Sequence, residues 1–314
     1  MEQIEYGQSF EEQHEIIRKI VKLPAIEAGS AVTLDITHGL RHLPLLTVLI
    51  AMYLQEVKKV EIRGIYYGAY ELYFRNNYRA PVVRMDGLME LVNWISALKA
   101  FDKDGDYGQF ADLLQQDGLT EKQARRMKGA AFAERNMNIS LAAQKLKNMS
   151  ESLGSLYGMG ELFGAALQER ISWHNLGEDI DETDEKRDIK RMYLRQRALV
   201  WAYFSKGDYL RAAIFALEAL VTWQMKAGEN PENFEDRDFV LKQHRPFPAG
   251  ADLNDMLTLN AIRNRLAHGS FIREARNDYD EQRIGRVNSF FESEENLSRA
   301  LKTLIDKLLP ENIQ

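Results

Sequence analysis

The chain has no cysteine. That absence excludes disulfides and every zinc or iron–sulfur centre held by thiolates, and it fits a reducing, cytoplasmic setting. Nor is there an excess of basic charge. Lysine and arginine number 41 against 47 acidic residues, a formal net charge of −6. A general nucleic-acid coat is therefore excluded, and any nucleic-acid contact has to be a local basic patch. No apolar run approaches the roughly 20 residues that cross a bilayer. The opening M-E-Q-I-E-Y-G lacks the cationic start and apolar core of a secretory signal. Walker loops and G-x-G-x-x-G are missing, and neither the histidine spacing nor any paired carboxylates suggest a metal. The acidic stretch Glu178–Lys186 lacks the glycine and closing glutamate of a calcium loop and reads as a solvated connector. No metal site is expected, and no internal repeat recurs at a fixed period.

What is present is a globular composition, 45% hydrophobic and 28% charged over 314 residues, enough for two domains. Residues 1–105 alternate helical and β-rich runs. Ser9 followed by Glu12 opens a helix over 9–22 with Ile16, Ile17, Ile20 and Val21 in one stripe. Ala31–Ile36, Val60–Tyr67 and Val82–Met85 read as strands, with helices over Leu43–Val57 and from Gly87 to Phe101. The order predicts part of a parallel α/β sheet, thin in strands and opening on a helix instead of a strand. From residue 106 to 314 strand signals vanish. Helices are expected over Tyr107–Gln116, Thr120–Asn148, Leu153–Gln168, Asp188–Ser205, Tyr209–Ala227, Asp252–His268 and Glu294–Leu309. Glu229–Pro248, with three prolines, reads as a loop. The apolar side of Asp252–His268 is expected to bury against Ala212–Trp223 and Leu297–Leu308. The fold class is thus a partial Rossmann-like α/β domain (1–105) followed by an all-α bundle (106–314).

In parallel α/β sheets ligands sit beyond the carboxyl ends of the strands. Two turns lie there, Asp35–Arg41 and Tyr66–Tyr70. The first opens a helix, whose free N–H groups suit an anion. Thr37 and His38 can donate hydrogen bonds, and Arg41 adds a cation. The alternative is purely structural: Thr37 caps the helix and Asp35 satisfies the turn.

A second constellation is A-I-R-N-R-L-A-H-G, Ala261–Gly269. Arg263 is a permanent cation that can grip a phosphate in two-pronged fashion. His268 is of the type that takes and gives protons near neutrality, and Asn264 can orient it or a substrate oxygen. Together they suffice to cleave RNA through its own 2′-hydroxyl. A five-residue offset leaves Arg263 and His268 about 140° apart around a helix. A two-fold dimer would bring a second pair into one cleft, and Arg265, Arg273 and Arg276 would extend a basic patch. Against this, a histidine followed by Gly269 also describes an ordinary helix end. His14 and His174 stand alone and read as structural.

D-I-T-H-G-L-R-H-L-P (Asp35–Pro44) followed by I-Y-Y-G-A-Y-E (Ile65–Glu71) resembles the signature of CRISPR-associated CARF-domain proteins of the Csx type. R-N-R-L-A-H-G (Arg263–Gly269) resembles the motif of HEPN ribonucleases. The order matches the ancillary ribonucleases of type III CRISPR systems. Leu40 departs from the usual phenylalanine. The resemblance implies a further βαβ portion ahead of the first residue. It also implies a cytoplasmic homodimer activated by cyclic oligoadenylate, needing no cofactor. Its HEPN site would cut single-stranded RNA without metal to a 2′,3′-cyclic phosphate and a 5′-hydroxyl. Arg263, Asn264 and His268 would be catalytic. Thr37, His38, Gly39 and Arg41 would hold the activator, with Tyr67 near the second turn. Two other readings stay open: a non-catalytic cyclic-oligoadenylate sensor or adaptor, and a toxin-like HEPN nuclease without second-messenger control.

Overall fold

The computed structural model describes residues 4–38, 40, 42–243, 245–269 and 278–311. The chain divides into two compact units, Met1–Ala97 and Leu98–Gln314. The composition shift places the boundary slightly later, at the end of the helix that contains the division.

The N-terminal unit holds α1 (Phe10–Val21), β1 (Ala31–Asp35), α2 (Leu43–Glu56), β2 (Glu61–Gly68), β3 (Val82–Arg84) and the start of α3 (Asp86–Asp104). Ser9 caps α1 by accepting the Glu12 N–H at 3.2 Å. Ile16 of α1 then joins Ile50 and Leu54 of α2 in one apolar cluster over Val32 and Ile62 of the sheet. Ile62 and Ile65 are three residues apart, the wrong parity for one face of a strand. A register shift resolves the conflict. Val32 pairs with Ile62 and Thr33 with Gly64, so Arg63 is skipped. Both isoleucines thereby turn to the helices, Ile65 meeting Leu34 and Met89. Ala31, Thr33 and Asp35 are exposed on the opposite face.

β1 and β2 are parallel, as expected, but β3 runs antiparallel to β2. The sheet, ordered β1-β2-β3, is therefore mixed and not parallel. The connection explains it. Between Gly68 and Val82 there is one 3-10 turn, Tyr70–Leu72, and not the helix that a parallel crossover uses. The chain doubles back, and the Ala69 N–H reaches the Pro81 carbonyl at 2.9 Å.

Among the described residues the C-terminal unit holds the end of α3 and then helices only: α4 (Ala111–Gln116), α5 (Glu121–Arg135), α6 (Ile139–Leu146), α7 (Met149–Leu153), α8 (Gly158–Ile171), α9 (Arg187–Phe204), α10 (Tyr209–Trp223), α11 (Phe234–Lys242), α12 (Leu253–His268), α13 (Asp278–Phe290) and α14 (Glu294–Leu308). α10 packs against α9, α11, α12 and α14. It buries Ala212, Ala213, Phe215, Ala216, Ala219 and Leu220 almost completely. α12 lies between α10 and α14 as its apolar side requires. The expected single helix over Thr120–Asn148 is two. Met137 takes φ +61, and Asn138 restarts the chain as a cap, accepting the Leu141 N–H at 3.0 Å. The expected helix at Leu153 begins only at Gly158, after the short α7. The proline-bearing stretch Glu229–Pro248 contains α11, capped by Asn233, which accepts the Asp236 N–H at 3.0 Å. Among the described residues, no helix is long and apolar enough to cross a membrane.

Candidate functional site

α12 carries the Arg–His motif, and its ends set the motif's position. Asp252 and Asp255 form a capping box, the Asp255 N–H donating to Asp252 Oδ1 at 2.9 Å. The helix closes at His268, and Gly269 follows at φ +75, a conformation glycine adopts readily. Leu259 and Ile262 are fully buried and fix the helix's rotation.

That rotation separates the motif. Asn260, Asn264 and His268 recur every fourth residue, a stripe drifting about 40° per step. All three line a cleft of about 330 Å³ whose other wall is α13, with Arg283 and Asn288. Asn264 and His268 are exposed and Arg263 is half-buried. Arg263 is not among the cleft's lining residues. Its Nη2 instead donates to Asn260 Oδ1 at 2.7 Å. One chain thus brings Asn264 and His268 together and leaves Arg263 beside them on the next face. The cations that do line the cleft are Arg265 and, from α13, Arg283. Arg265 donates to Asn288 Oδ1 of α13, and its guanidinium stands 4.4 Å from the Phe291 ring centroid. The sequence offers Arg265 only as part of a basic patch, and its partners Arg273 and Arg276 lie outside the described residues. Asn260 gives a signal at sequence level: it precedes Arg263 by three residues, a spacing at which helical side chains meet.

The second constellation sits at the carboxyl ends of β1 and β2. The Thr37 N–H donates to Asp35 Oδ1 at 2.9 Å. Hydrogen bonding from Thr37, side chain first and then backbone, holds the Asp35 carboxyl below its ordinary value. Thr37 Oγ1 accepts the Gly68 N–H at 2.7 Å, which ties the turn after β1 to the end of β2. A Cβ on residue 68 would come within 2.9 Å of Thr37 Cγ2, so glycine is needed for this approach. Thr37 therefore does not cap α2. The cap position is His42, which makes no side-chain cap bond. Its Nε2 donates to the Tyr6 carbonyl at 2.8 Å. Tyr67 is half-buried and donates to Glu71 Oε1 at 2.6 Å, and His38 is exposed. Gly39 and Arg41 lie outside the described residues. Thr37 and Tyr67 thus stand on adjacent strand ends, each already in a hydrogen bond.

Among the described residues, no group of three or more His, Asp or Glu side chains is placed to hold a metal ion.

No protein-family model matches the chain. Over 92 residues it is 30% identical to the CRISPR-associated protein MJ1674 of Methanocaldococcus jannaschii. The matched stretch amounts to 29% of this chain and 14% of that protein. The chain thus spans a small part of its relative's length, and a segment of it is similar to a segment of a CRISPR-associated protein.

Proposed function

We propose that the chain is a metal-independent, single-stranded RNA endonuclease of CRISPR-linked antiviral defence, acting in the cytoplasm. A cyclic oligoadenylate bound at the turns after β1 and β2 switches it on. It works as a homodimer, because one copy does not collect its own Arg263 and His268. The observation that carries this reading is the arrangement of α12. Asn264 and His268 line an open cleft beside Arg265, while Arg263 is held to one side by Asn260. The likeness to a CRISPR-associated protein supports the setting.

In the reaction the 2′-oxygen of a ribose attacks the adjacent phosphorus. The O2′–P bond forms as the P–O5′ bond breaks. One His268 imidazole takes the 2′-hydroxyl proton, and a protonated His268 of the second copy gives one to the leaving 5′-oxygen. Each proton step contributes about 10² to 10⁴ in rate. The Arg263 guanidinium offsets the charge that builds on the phosphoryl oxygens. The products are a 2′,3′-cyclic phosphate and a 5′-hydroxyl.

The test is cleavage of single-stranded RNA, with and without cyclic tetra- or hexa-adenylate, by the wild type, Arg263→Ala and His268→Ala, with analysis of the product ends. Activator-dependent cleavage lost in both variants is expected. Cleavage that survives in both overturns the site. Cleavage indifferent to every activator favours a nuclease without second-messenger control. Activator binding without cleavage favours a sensor or adaptor.

A further inference from the structure

The connection from β2 to β3 is rich in aromatic rings and arginines. Residues 70–79 read Y-E-L-Y-F-R-N-N-Y-R. Tyr70, Phe74 and Tyr78 are 69%, 75% and 69% exposed. The rings hold one another. Tyr73, half-buried, stands at the centre, its ring centroid 5.5 Å from that of Tyr70, 5.3 Å from Phe74 and 5.7 Å from Tyr78. Phe74 and Tyr78 meet edge to face at 5.9 Å. Such packing fixes a ring while leaving part of its face open. The backbone beneath is clamped as well. Asn76 Nδ2 donates to the Arg79 carbonyl at 3.1 Å, and the Asn76 N–H to the Leu72 carbonyl at 2.9 Å. Tyr78 is held at φ +58, a conformation that bulky side chains rarely adopt.

The charges of the stretch are open too. Arg75 and Arg79 are exposed, and neither side chain has an ion-pair or hydrogen-bond partner among the described residues. Glu71 is the one carboxylate between Tyr70 and Arg79, and it accepts the Tyr67 hydroxyl at 2.6 Å. On a chain of net charge −6 this is a locally basic stretch. Exposed rings interleaved with open cations are the combination that takes single-stranded nucleic acid. Any base can stack on a ring, and the backbone phosphates meet the cations. A duplex keeps its bases stacked and offers phosphates alone. A second copy of the chain fits less well, since a stable interface draws on about 20–30 residues a side, and residues 70–79 are too few.

We propose that this loop is a platform for single-stranded RNA: bases stack on Phe74 and Tyr78, and Arg75 and Arg79 hold the neighbouring phosphates. It rests on the proposed function only in taking RNA as the substrate, and it gives the N-terminal unit a hold on that substrate separate from α12. The test is fluorescence anisotropy of the full chain with a labelled single strand of about 12 nucleotides, its riboses 2′-O-methylated so that no 2′-hydroxyl can attack. Phe74→Ala and Tyr78→Ala should each weaken binding roughly fivefold or more, while Tyr78→Phe, which keeps the ring, should not. The double variant Arg75→Ala/Arg79→Ala should make the slope of log affinity against log salt shallower by about 1.4, since each phosphate contact to a single strand contributes about 0.7. A duplex of the same sequence should be insensitive to the ring variants. Melting curves and mass photometry establish that the variants keep their fold and oligomeric state. No binding of the single strand by the wild type up to about 100 μM overturns the proposal. So does binding that neither ring variant changes, or a loss of dimers in the ring variants with RNA affinity intact, which would give the rings to a second copy. Ring variants that weaken cyclic hexa-adenylate and leave the linear strand unchanged would overturn it in favour of the activator. Ring-dependent binding by a chain that cleaves no RNA upholds the platform and counts against the proposed reaction alone.

Discussion

Arg263 and His268 share one helix but not one surface: His268 lines the cleft between α12 and α13, whereas Arg263 turns aside and donates to Asn260 Oδ1 at 2.7 Å. A chemistry that needs both therefore needs a second copy of α12. Specific activity should fall on dilution through the dimer dissociation range while the melting temperature of the diluted protein holds. Mass photometry run beside the cleavage assay gives the dimer fraction. Activity that stays constant as dimers disappear would show that one chain suffices.

Asn260 orients that arginine. Asn260→Ala frees the guanidinium to sample other rotamers and removes a charge-assisted bond worth on the order of 1–2 kcal/mol. RNA cleavage should drop roughly tenfold, with little change in thermal stability, because Asn260 is only partly buried. Loss of melting temperature in step with activity would mark Asn260 as structural only.

Thr37 and Gly68 meet so closely that each limits the other. Gly68→Ala should destabilise the N-terminal unit by roughly 1–3 kcal/mol, because its new Cβ would lie 2.9 Å from Thr37 Cγ2. Thr37→Ser removes that methyl and keeps the oxygen that accepts the Gly68 N–H. The double variant should recover much of the loss, a coupling that urea denaturation of the four proteins measures. Simple additivity would rule out this contact as the cause.

Glu134 sets a pH dependence. Burial raises its carboxyl from 4.5 to about 7, against the hydrogen bond from Tyr203, the nearby Tyr107 hydroxyl and the charge of Arg211, all of which lower it. Below the unfolded value both states carry the proton. Between that value and 7 only the folded state keeps it, so stability falls as pH rises through this window and stays low above it. The full effect is on the order of 3 kcal/mol. Glu134→Gln should be more stable than the wild type at pH 8, with the gap closing towards pH 4.5. A gap that does not change with pH would contradict the raised value.

Local signals carry most of the element order and the end of α12. Ser9 and Glu12 mark α1, and the Ala-His-Gly ending marks where α12 stops. Two breaks were within reach of the same signals. Asn138 and Asn233 are cap residues, but one lies inside a continuous amphipathic run and the other between prolines. Distant contacts carry the rest. The direction of β3 depends on how residues 69–81 fold back. Glu134 reads as a solvated charge on α5, and its burial comes from Tyr107 and Tyr203, which lie elsewhere in the sequence. The facing of Arg263 away from the cleft is half legible: helical geometry separates it from His268, but only the packing of Leu259 and Ile262 decides which of the two meets α13.

α3 belongs to both units, since the division at Ala97–Leu98 cuts through Asp86–Asp104. Each unit nonetheless carries its own buried core, so each can unfold as its own cooperative event. Heating should give two transitions, with the N-terminal half of α3 melting alongside the sheet while its last turns stay pinned through Phe101, which packs on Tyr107 and Phe110. A single midpoint quoted for this protein would average two unfolding events, and each substitution discussed above has to be read against the transition of its own unit.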